Sequence, residues 1–77
     1  NATLRFTNFL LHQIPPGELH DVKINLTAPK HVIASRLSIQ PESFSRILRN
    51  MQKSGLISVE GSCIHIASVE ALGTQDS

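Results

Sequence analysis

The chain has 77 residues, of which 40% are hydrophobic, and a formal net charge of +1. This length suits one small domain with a modest core, and this composition argues against a disordered chain. No apolar run could span a membrane, no secretory signal is visible, and the single Cys63 excludes an internal disulfide framework, so we expect a cytoplasmic protein without a membrane partner.

The charge is distributed unevenly along the chain. Residues 22–53 carry six Lys or Arg side chains against the single acid Glu42, a net charge of +5. The remainder carries Arg5 against five acids, a net charge of −4, and the two parts sum to +1. A basic middle between acidic flanks favours a polyanionic partner at one face, although chance segregation of charge in a small domain is an equal alternative.

The first predicted element is a helix over residues 1–14, which Pro15 ends by disfavouring helical geometry in the residue before it. Its predicted apolar arc consists of Leu4, Phe9, Leu10, Leu11 and Ile14. They cover a wide arc, which predicts burial on more than one side, in part against a segment outside this chain. Residues 15–21 are predicted to form a loop. The strict alternation from Val22 to Leu26 then predicts a half-buried strand.

Two helices joined by a tight turn are predicted next. The first begins near residues 27–29 and runs to about Leu37, with Ile33, Ala34 and Leu37 on its inner face. In the turn over residues 38–40, Ile39 is predicted to pack inward. Ser38 stands where many such turns place a left-handed Gly, a geometry that Ser can adopt at some cost.

The second helix of this pair, predicted over residues 40–54, is the most regular element. Gln40 can cap it, Pro41 suits its first position, and Gly55 ends it. Its apolar side chains recur at i, i+3, i+4 and i+7 as Phe44, Ile47, Leu48 and Met51. At ~100° per residue, the side chains opposite this stripe are Glu42, Arg46, Arg49 and Lys53. Such a helix is typical of one lying in a nucleic-acid groove, and also of a solvated surface helix.

A β-hairpin is predicted after this helix. Two short strands, residues 56–59 and 64–66, flank a Gly-containing loop. Ser68 can cap a helical turn that Gly73 ends, and residues 74–77 are predicted to be a frayed tail. The order of elements predicts an α+β fold, a single winged helix-turn-helix domain over residues 1–77. Its helix-turn-helix covers about residues 28–54 and its wing about residues 56–67.

Residues 37–48 (LSIQPESFSRIL), 55–57 (GLI) and 60–61 (EG) resemble the C-terminal DNA-binding domain of the CRP/FNR superfamily of bacterial transcription regulators. Residues 38–46 are most similar to the subgroup that controls dissimilative nitrate respiration in response to nitrogen oxides. The resemblance implies a DNA-binding regulator and not an enzyme. It also implies a separate N-terminal sensor domain outside this chain, which would hold any cofactor, haem in this subgroup, so no cofactor is expected in this domain.

The resemblance also implies which residues read bases. The signature Glu-x-x-Ser-Arg of FNR-like regulators is intact as Glu42, Ser45 and Arg46. By this resemblance the protein reads TTGAT-type half-sites of palindromic double-stranded DNA as a dimer, with RNA polymerase as a further partner. Independently, Arg46 can donate two hydrogen bonds to guanine and Glu42 can accept one from cytosine. The alternative for these two residues is an i, i+4 surface ion pair, worth only ~0.3–0.5 kcal/mol.

The remaining cations of the basic middle are predicted to contact phosphates, which position a protein on DNA without reading its sequence. They are Lys30, Arg36, Arg49 and Lys53. For each of them a solvated surface side chain is the alternative. The histidines and the cysteine show no metal-ligand spacing, and no phosphate loop or catalytic triad is visible, so a small hydrolase or metal protein is a weak rival. The stronger rival is a winged helix used for protein–protein contact.

Overall fold

The computed structural model describes residues 1–74. Within them the chain forms α1 (Ala2–Gln13), β1 (His20–Asn25), α2 (Lys30–Arg36), α3 (Pro41–Lys53), β2 (Ile57–Glu60), β3 (Cys63–Ser68) and α4 (Val69–Thr74). This order confirms the predicted α+β winged helix-turn-helix. Of the tail predicted over residues 74–77, only Thr74 lies within the described residues, where it ends α4. No helix in this described part combines the length and the apolar character that a membrane crossing needs.

The sheet has three antiparallel strands with β3 in the centre, paired with β1 on one side and β2 on the other. The predicted hairpin of β2 and β3 is confirmed, and Gly61, with φ 58°, supplies the left-handed residue of its two-residue loop. The loop predicted over residues 15–21 is wrong for its last two residues. β1 begins at His20, because the backbone of His20 pairs with that of Ser68 on β3, a strand far away in the sequence.

The core lies between the inner face of the sheet and the helices. The predicted stripe of α3 is confirmed, since all four of its apolar side chains are buried. In α1 the deepest aromatic side chain is Phe6, fully buried, which the predicted arc did not include. Phe9 and Leu11 of that arc are only half-buried. The ring of Phe6 meets the ring of Phe44 edge-on at 5.1 Å between centroids and lies 6.4 Å from the ring of Phe9.

The turn between α2 and α3 closes with two backbone hydrogen bonds. The amide of Ser38 donates to the carbonyl of Ser35 at 3.0 Å, and the amide of Ile39 donates to the carbonyl of Ala34 at 2.8 Å. This pair of bonds is a Schellman motif, whose left-handed residue is Ser38 with φ 57°. Both predictions for the turn are confirmed, because Ser38 is left-handed and Ile39 is buried.

The C-terminus of α3 closes in the same way. The amide of Gly55 donates to the carbonyl of Gln52, and the amide of Leu56 donates to the carbonyl of Met51, both at 3.0 Å. Gly55 is the left-handed residue of this second Schellman motif, with φ 78°. The two helices of the helix-turn-helix therefore end alike, with Ser in one motif and Gly in the other.

The helix N-termini agree only partly with the sequence. Ser68 caps α4, since its Oγ accepts from the amide of Ala71 at 3.3 Å. Gln40 stands at the N-cap position of α3, but its side chain makes no capping hydrogen bond, and only its backbone carbonyl accepts, from Phe44 at 2.8 Å. The capping role predicted for the Gln40 side chain is therefore wrong. Gly73 lies within α4 and does not end it, because α4 continues to Thr74.

Candidate nucleic-acid interface

The outer face of α3 gathers the residues of the sequence signature. Glu42, Ser45, Arg46 and Arg49 are all exposed, and together they line one shallow pocket of about 310 Å³. Lys53 is exposed in the last turn of the same helix, where its charge also complements the negative end of the helix dipole. We call the surface formed by these five residues the outer face of α3. It combines one carboxylate and one hydroxyl with three cations.

This outer face is held in place by the buried side of the same helix. Phe44 is 3% exposed and Met51 is 3% exposed, while Ile47 and Leu48 are each 8% exposed. The contact of Phe44 with Phe6 ties the first turns of α3 to α1. A helix can read base edges only when its orientation is fixed, and this packing along the length of α3 fixes it.

Glu42 and Arg46 do not pair with each other. Among residues 1–74, the structure shows a contact of 3.4 Å between Nε2 of His65 and Oδ1 of Asp21, and no ion pair joins Glu42 to Arg46. The surface ion pair considered for these two residues is therefore not formed in this structure. The carboxylate and the guanidinium are both open to solvent on the outer face of α3.

The two predicted phosphate-contacting residues on α2 lie apart from that pocket. Lys30 begins α2 and is half-buried. Arg36 is exposed at the other end of α2 and lines a separate pocket of about 480 Å³ next to α1, together with Arg5, Phe9 and His12 among others. The structure thus groups Arg49 and Lys53 with the signature residues on one helix face, and leaves Arg36 on a different surface.

The structure adds polar residues that the sequence reasoning missed. His31, Ser35 and Gln40 are exposed and line a pocket of about 450 Å³ between α2 and the first turn of α3. Hydroxyl, amide and imidazole groups are common donors to DNA phosphates. The spacing of His31 and Ser35, one helical turn apart on α2, could have suggested a shared exposed face in the sequence.

Arg5 was also assigned no role from the sequence. Its side chain extends from α1 to the turn between α2 and α3, where Nε donates to the carbonyl of Leu37 at 2.8 Å and a terminal nitrogen donates to the carbonyl of Ser38 at 3.2 Å. No sequence pattern reveals this contact, because it joins residues more than thirty positions apart.

The wing and the outer face of the sheet are less basic than α3. Lys23, Ser58, Glu60, Cys63 and His65 line a groove of about 460 Å³ on that face. Cys63, the single cysteine of the chain, is half-buried in this groove. In the described residues, no group of three or more His, Cys, Asp or Glu side chains could hold a metal ion.

Comparison with known proteins identifies the fold. The model of the Crp-like helix-turn-helix domain matches residues 4–74. The chain belongs to this Crp-like family. Because the family consists of DNA-binding regulators, this Crp-like chain is a DNA-binding domain that acts in the regulation of transcription, and it is not an enzyme. No curated protein matches it significantly.

Two solved structures are similar to this Crp-like domain over nearly its whole length. DNR from Pseudomonas aeruginosa, a CRP/FNR-family regulator, is 33% identical with a TM-score of 0.79 over 94% of this chain. A protein from Ruegeria pomeroyi assigned to the cyclic nucleotide binding proteins is 26% identical with a TM-score of 0.81 over 95% of this chain. The match covers only 32% and 31% of those two chains, respectively. The resemblance to the CRP/FNR superfamily is confirmed, and the nitrate-respiration subgroup is consistent with the likeness to DNR.

Proposed function

We propose that this domain reads a TTGAT-type half-site with α3 lying in the major groove, as one half of a dimer on palindromic DNA. The observation that carries the proposal is the outer face of α3, where Glu42, Ser45, Arg46 and Arg49 share one pocket. Family membership supports DNA binding in general. The particular half-site rests on the intact signature Glu42, Ser45 and Arg46.

The chemistry of the signature residues matches such a half-site. TTGAT contains one G·C pair, whose guanine offers two acceptors to Arg46 and whose cytosine offers its N4 amino group to Glu42. Ser45 lies next to Arg46 and can meet either a base edge or a thymine methyl group. Glu42 and Arg46 are one helical turn apart on this face, so both side chains can approach the same part of the half-site.

The remaining cations supply binding that does not depend on sequence. We propose that Arg49 and Lys53 contact phosphates beside the half-site, while Lys30 and Arg36 contact phosphates from α2. Each such contact displaces counterions, so the affinity of the domain depends on the salt concentration. These contacts set the register of α3 on the duplex, and the three signature residues then determine which base sequence is bound.

For the whole regulator we propose a cytoplasmic dimer that also contacts RNA polymerase. The two similar structures are about three times the length of this chain, which leaves room in such a protein for a sensor domain. We place any cofactor, haem for the nitrogen-oxide subgroup, in that sensor and none in residues 1–77. The structure of this domain supports the DNA-reading part of the scheme through the exposed signature residues alone.

Selection from random double-stranded DNA tests the proposed half-site. A dimerised form of this domain should enrich palindromes with TTGAT-type half-sites. The variant Arg46→Ala should lose the preference for the G·C pair, because it removes the bidentate donor. Lys23→Ala is the matched control, because it removes a cation from the outer face of the sheet and should enrich the same sites as the wild type.

Two results would contradict the proposal. Enrichment of an unrelated sequence would refute the TTGAT assignment while leaving DNA reading by α3 in place. Absence of enrichment, together with an affinity for DNA that does not respond to salt, would favour the rival function, a winged helix that binds another protein.

A further inference from the structure

Arg5 connects the N-terminal helix to the helix-turn-helix. It is an exposed residue of α1, yet its guanidinium donates to the carbonyl of Leu37 at 2.8 Å and to the carbonyl of Ser38 at 3.2 Å. Leu37 is the C-cap of α2, and Ser38 is the left-handed residue of the turn. Both carbonyls lie beyond the end of α2, where no helical amide reaches them. The guanidinium therefore binds the turn at two points.

A second contact joins α1 to α3 directly. The ring of Phe6, next to Arg5 in the sequence, packs edge-on against the ring of Phe44. Phe44 lies in the first turn of α3, three residues after Pro41. Arg5 thus holds the chain just before α3 while Phe6 holds α3 itself. Two neighbouring residues of α1 thus contact the turn before α3 and the first turn of α3, the helix that carries Glu42 and Arg46.

We propose that Arg5 is a positioning residue, which locks the turn between α2 and α3 to α1 and so fixes the orientation in which the outer face of α3 meets base edges. This inference rests on the proposed function for its role in DNA reading. Base reading by bidentate hydrogen bonds tolerates little displacement, so a loosened turn should reduce sequence discrimination more than it reduces overall affinity.

The geometry requires arginine rather than any cation. A guanidinium presents several N–H donors in a rigid plane and can bind two neighbouring carbonyls at once. A lysine keeps the charge but offers a single flexible ammonium group, which cannot reproduce two bonds in fixed directions. Arg5→Lys therefore separates the positioning role from electrostatic attraction to DNA. Because Arg5 is exposed, the substitution leaves the apolar core intact.

Amide hydrogen exchange tests the lock without DNA. In Arg5→Lys and Arg5→Met, the amides of Ser38 and Ile39 should exchange about fivefold to tenfold faster, because the turn opens more often without its two charge-assisted hydrogen bonds. The amides of Gly55 and Leu56 are the internal control, since they close the same motif at the end of α3, where no arginine of the described residues donates a hydrogen bond. They should exchange at the wild-type rate. Equal acceleration at both motifs, or none at either, would overturn the proposal.

DNA discrimination tests the consequence for reading. The readout is the affinity for a site selected by the wild type, divided by the affinity for the same site with its G·C pair changed. Arg5→Lys should lower this ratio about fivefold while leaving the binding of the changed site at the wild-type level. Arg36→Gln is the matched control, because Arg36 is an exposed cation nearby on α2 that makes no hydrogen bond to the turn among the described residues. It should weaken binding to both sites equally and keep the ratio.

The outcomes separate this inference from the function on which it rests. If Arg5→Lys discriminates as well as the wild type, Arg5 has no part in reading and the proposal fails, while the proposed function stands. If the wild type itself does not discriminate, the proposed function fails and the role of Arg5 in reading fails with it. The exchange rates at Ser38 and Ile39 then still decide whether Arg5 locks the turn.

Discussion

Exchanging Ser and Gly between the two Schellman motifs should change stability in opposite directions. Ser38 and Gly55 occupy the same left-handed position, with φ 57° and φ 78°. Ser38→Gly relieves the strain of a side chain in this region, and Gly55→Ser introduces it. Apart from its two neighbours in the chain, no described residue has a heavy atom within 4 Å of the place where a Cβ on Gly55 would stand, so the second substitution adds strain without a clash.

The expected magnitude follows from two opposing terms. A left-handed conformation costs a residue with a side chain about 1–2 kcal/mol. Replacing such a residue by glycine removes this cost. However, glycine loses more conformational entropy on folding, which offsets about 0.4–1 kcal/mol of the gain in stability. The net change should be about 0.5–1 kcal/mol, a gain in the free energy of unfolding for Ser38→Gly and a loss for Gly55→Ser. The hydrogen bond from Arg5 to residue 38 is kept, because its acceptor is the backbone carbonyl.

Thermal and urea unfolding followed by circular dichroism measure this effect. For a domain of this size the melting temperature should move by about 2–8 °C, upward for Ser38→Gly and downward for Gly55→Ser. Ser54→Gly is the control, since Ser54 has φ −77° and the same exchange there should destabilise the domain. A lower melting temperature for Ser38→Gly, or an unchanged one for Gly55→Ser, would refute the reasoning.

Three further predictions concern the core, the charge and the assembly of the domain. Phe44→Ala should lower the free energy of unfolding by about 3–5 kcal/mol, because it leaves a cavity in the core next to Phe6. Circular dichroism should then show little cooperative unfolding, and a transition near that of the wild type would contradict this prediction. A plot of the logarithm of the DNA affinity against the logarithm of the salt concentration should have a slope of about −3 or steeper, because several phosphates are contacted. A slope near zero in this titration would refute DNA binding. The chain should sediment as a monomer at micromolar concentration, because Leu19 is the large apolar side chain left exposed among the described residues; a tight dimer would mean that the half-buried apolar side chains of α1 form an interface.

The helix-turn-helix and the hairpin could be predicted because the sequence patterns that specify them lie within each element. The helical period of residues 44–51, with Pro41 before it and Gly55 after it, fixes α3 and its two faces. The left-handed Ser38 and the buried Ile39 follow from the turn between two amphipathic helices. The hairpin follows from a Gly-containing loop between two β-rich runs.

The rest depends on contacts between residues that are distant in the sequence. β1 pairs with β3 across some forty residues, so nothing near His20 reveals that a strand begins there. The apolar pattern of α1 does not reveal that Phe6 is buried more deeply than its apolar neighbours. The element against which a widely apolar helix packs decides which of its sides faces the core. The contact of Arg5 with the turn is likewise a product of tertiary structure.

The candidate site was predictable to the same extent. Residues 42, 45, 46 and 49 share a face by helical spacing alone, and the structure brings their side chains to one pocket. Whether Arg36 would join them could not be predicted, since it depends on how α2 packs against α1 and α3. The structure places Arg36 next to α1, beside Arg5.

Binding of Glu42→Ala and Arg46→Ala to four related sites tests the central claim, that the outer face of α3 reads bases. The sites are a selected half-site and its three substitutions at the G·C pair. Arg46→Ala should lose about 1–3 kcal/mol on the selected site, because a bidentate donor is removed. Glu42→Ala should bind changed sites as well as the wild type or slightly better, because it removes an anion near phosphates. Its discrimination among the four sites should fall, because cytosine N4 loses its acceptor. If Glu42→Ala keeps the wild-type ranking and spread of affinities across all four sites, Glu42 does not read bases and the assignment of this face is wrong.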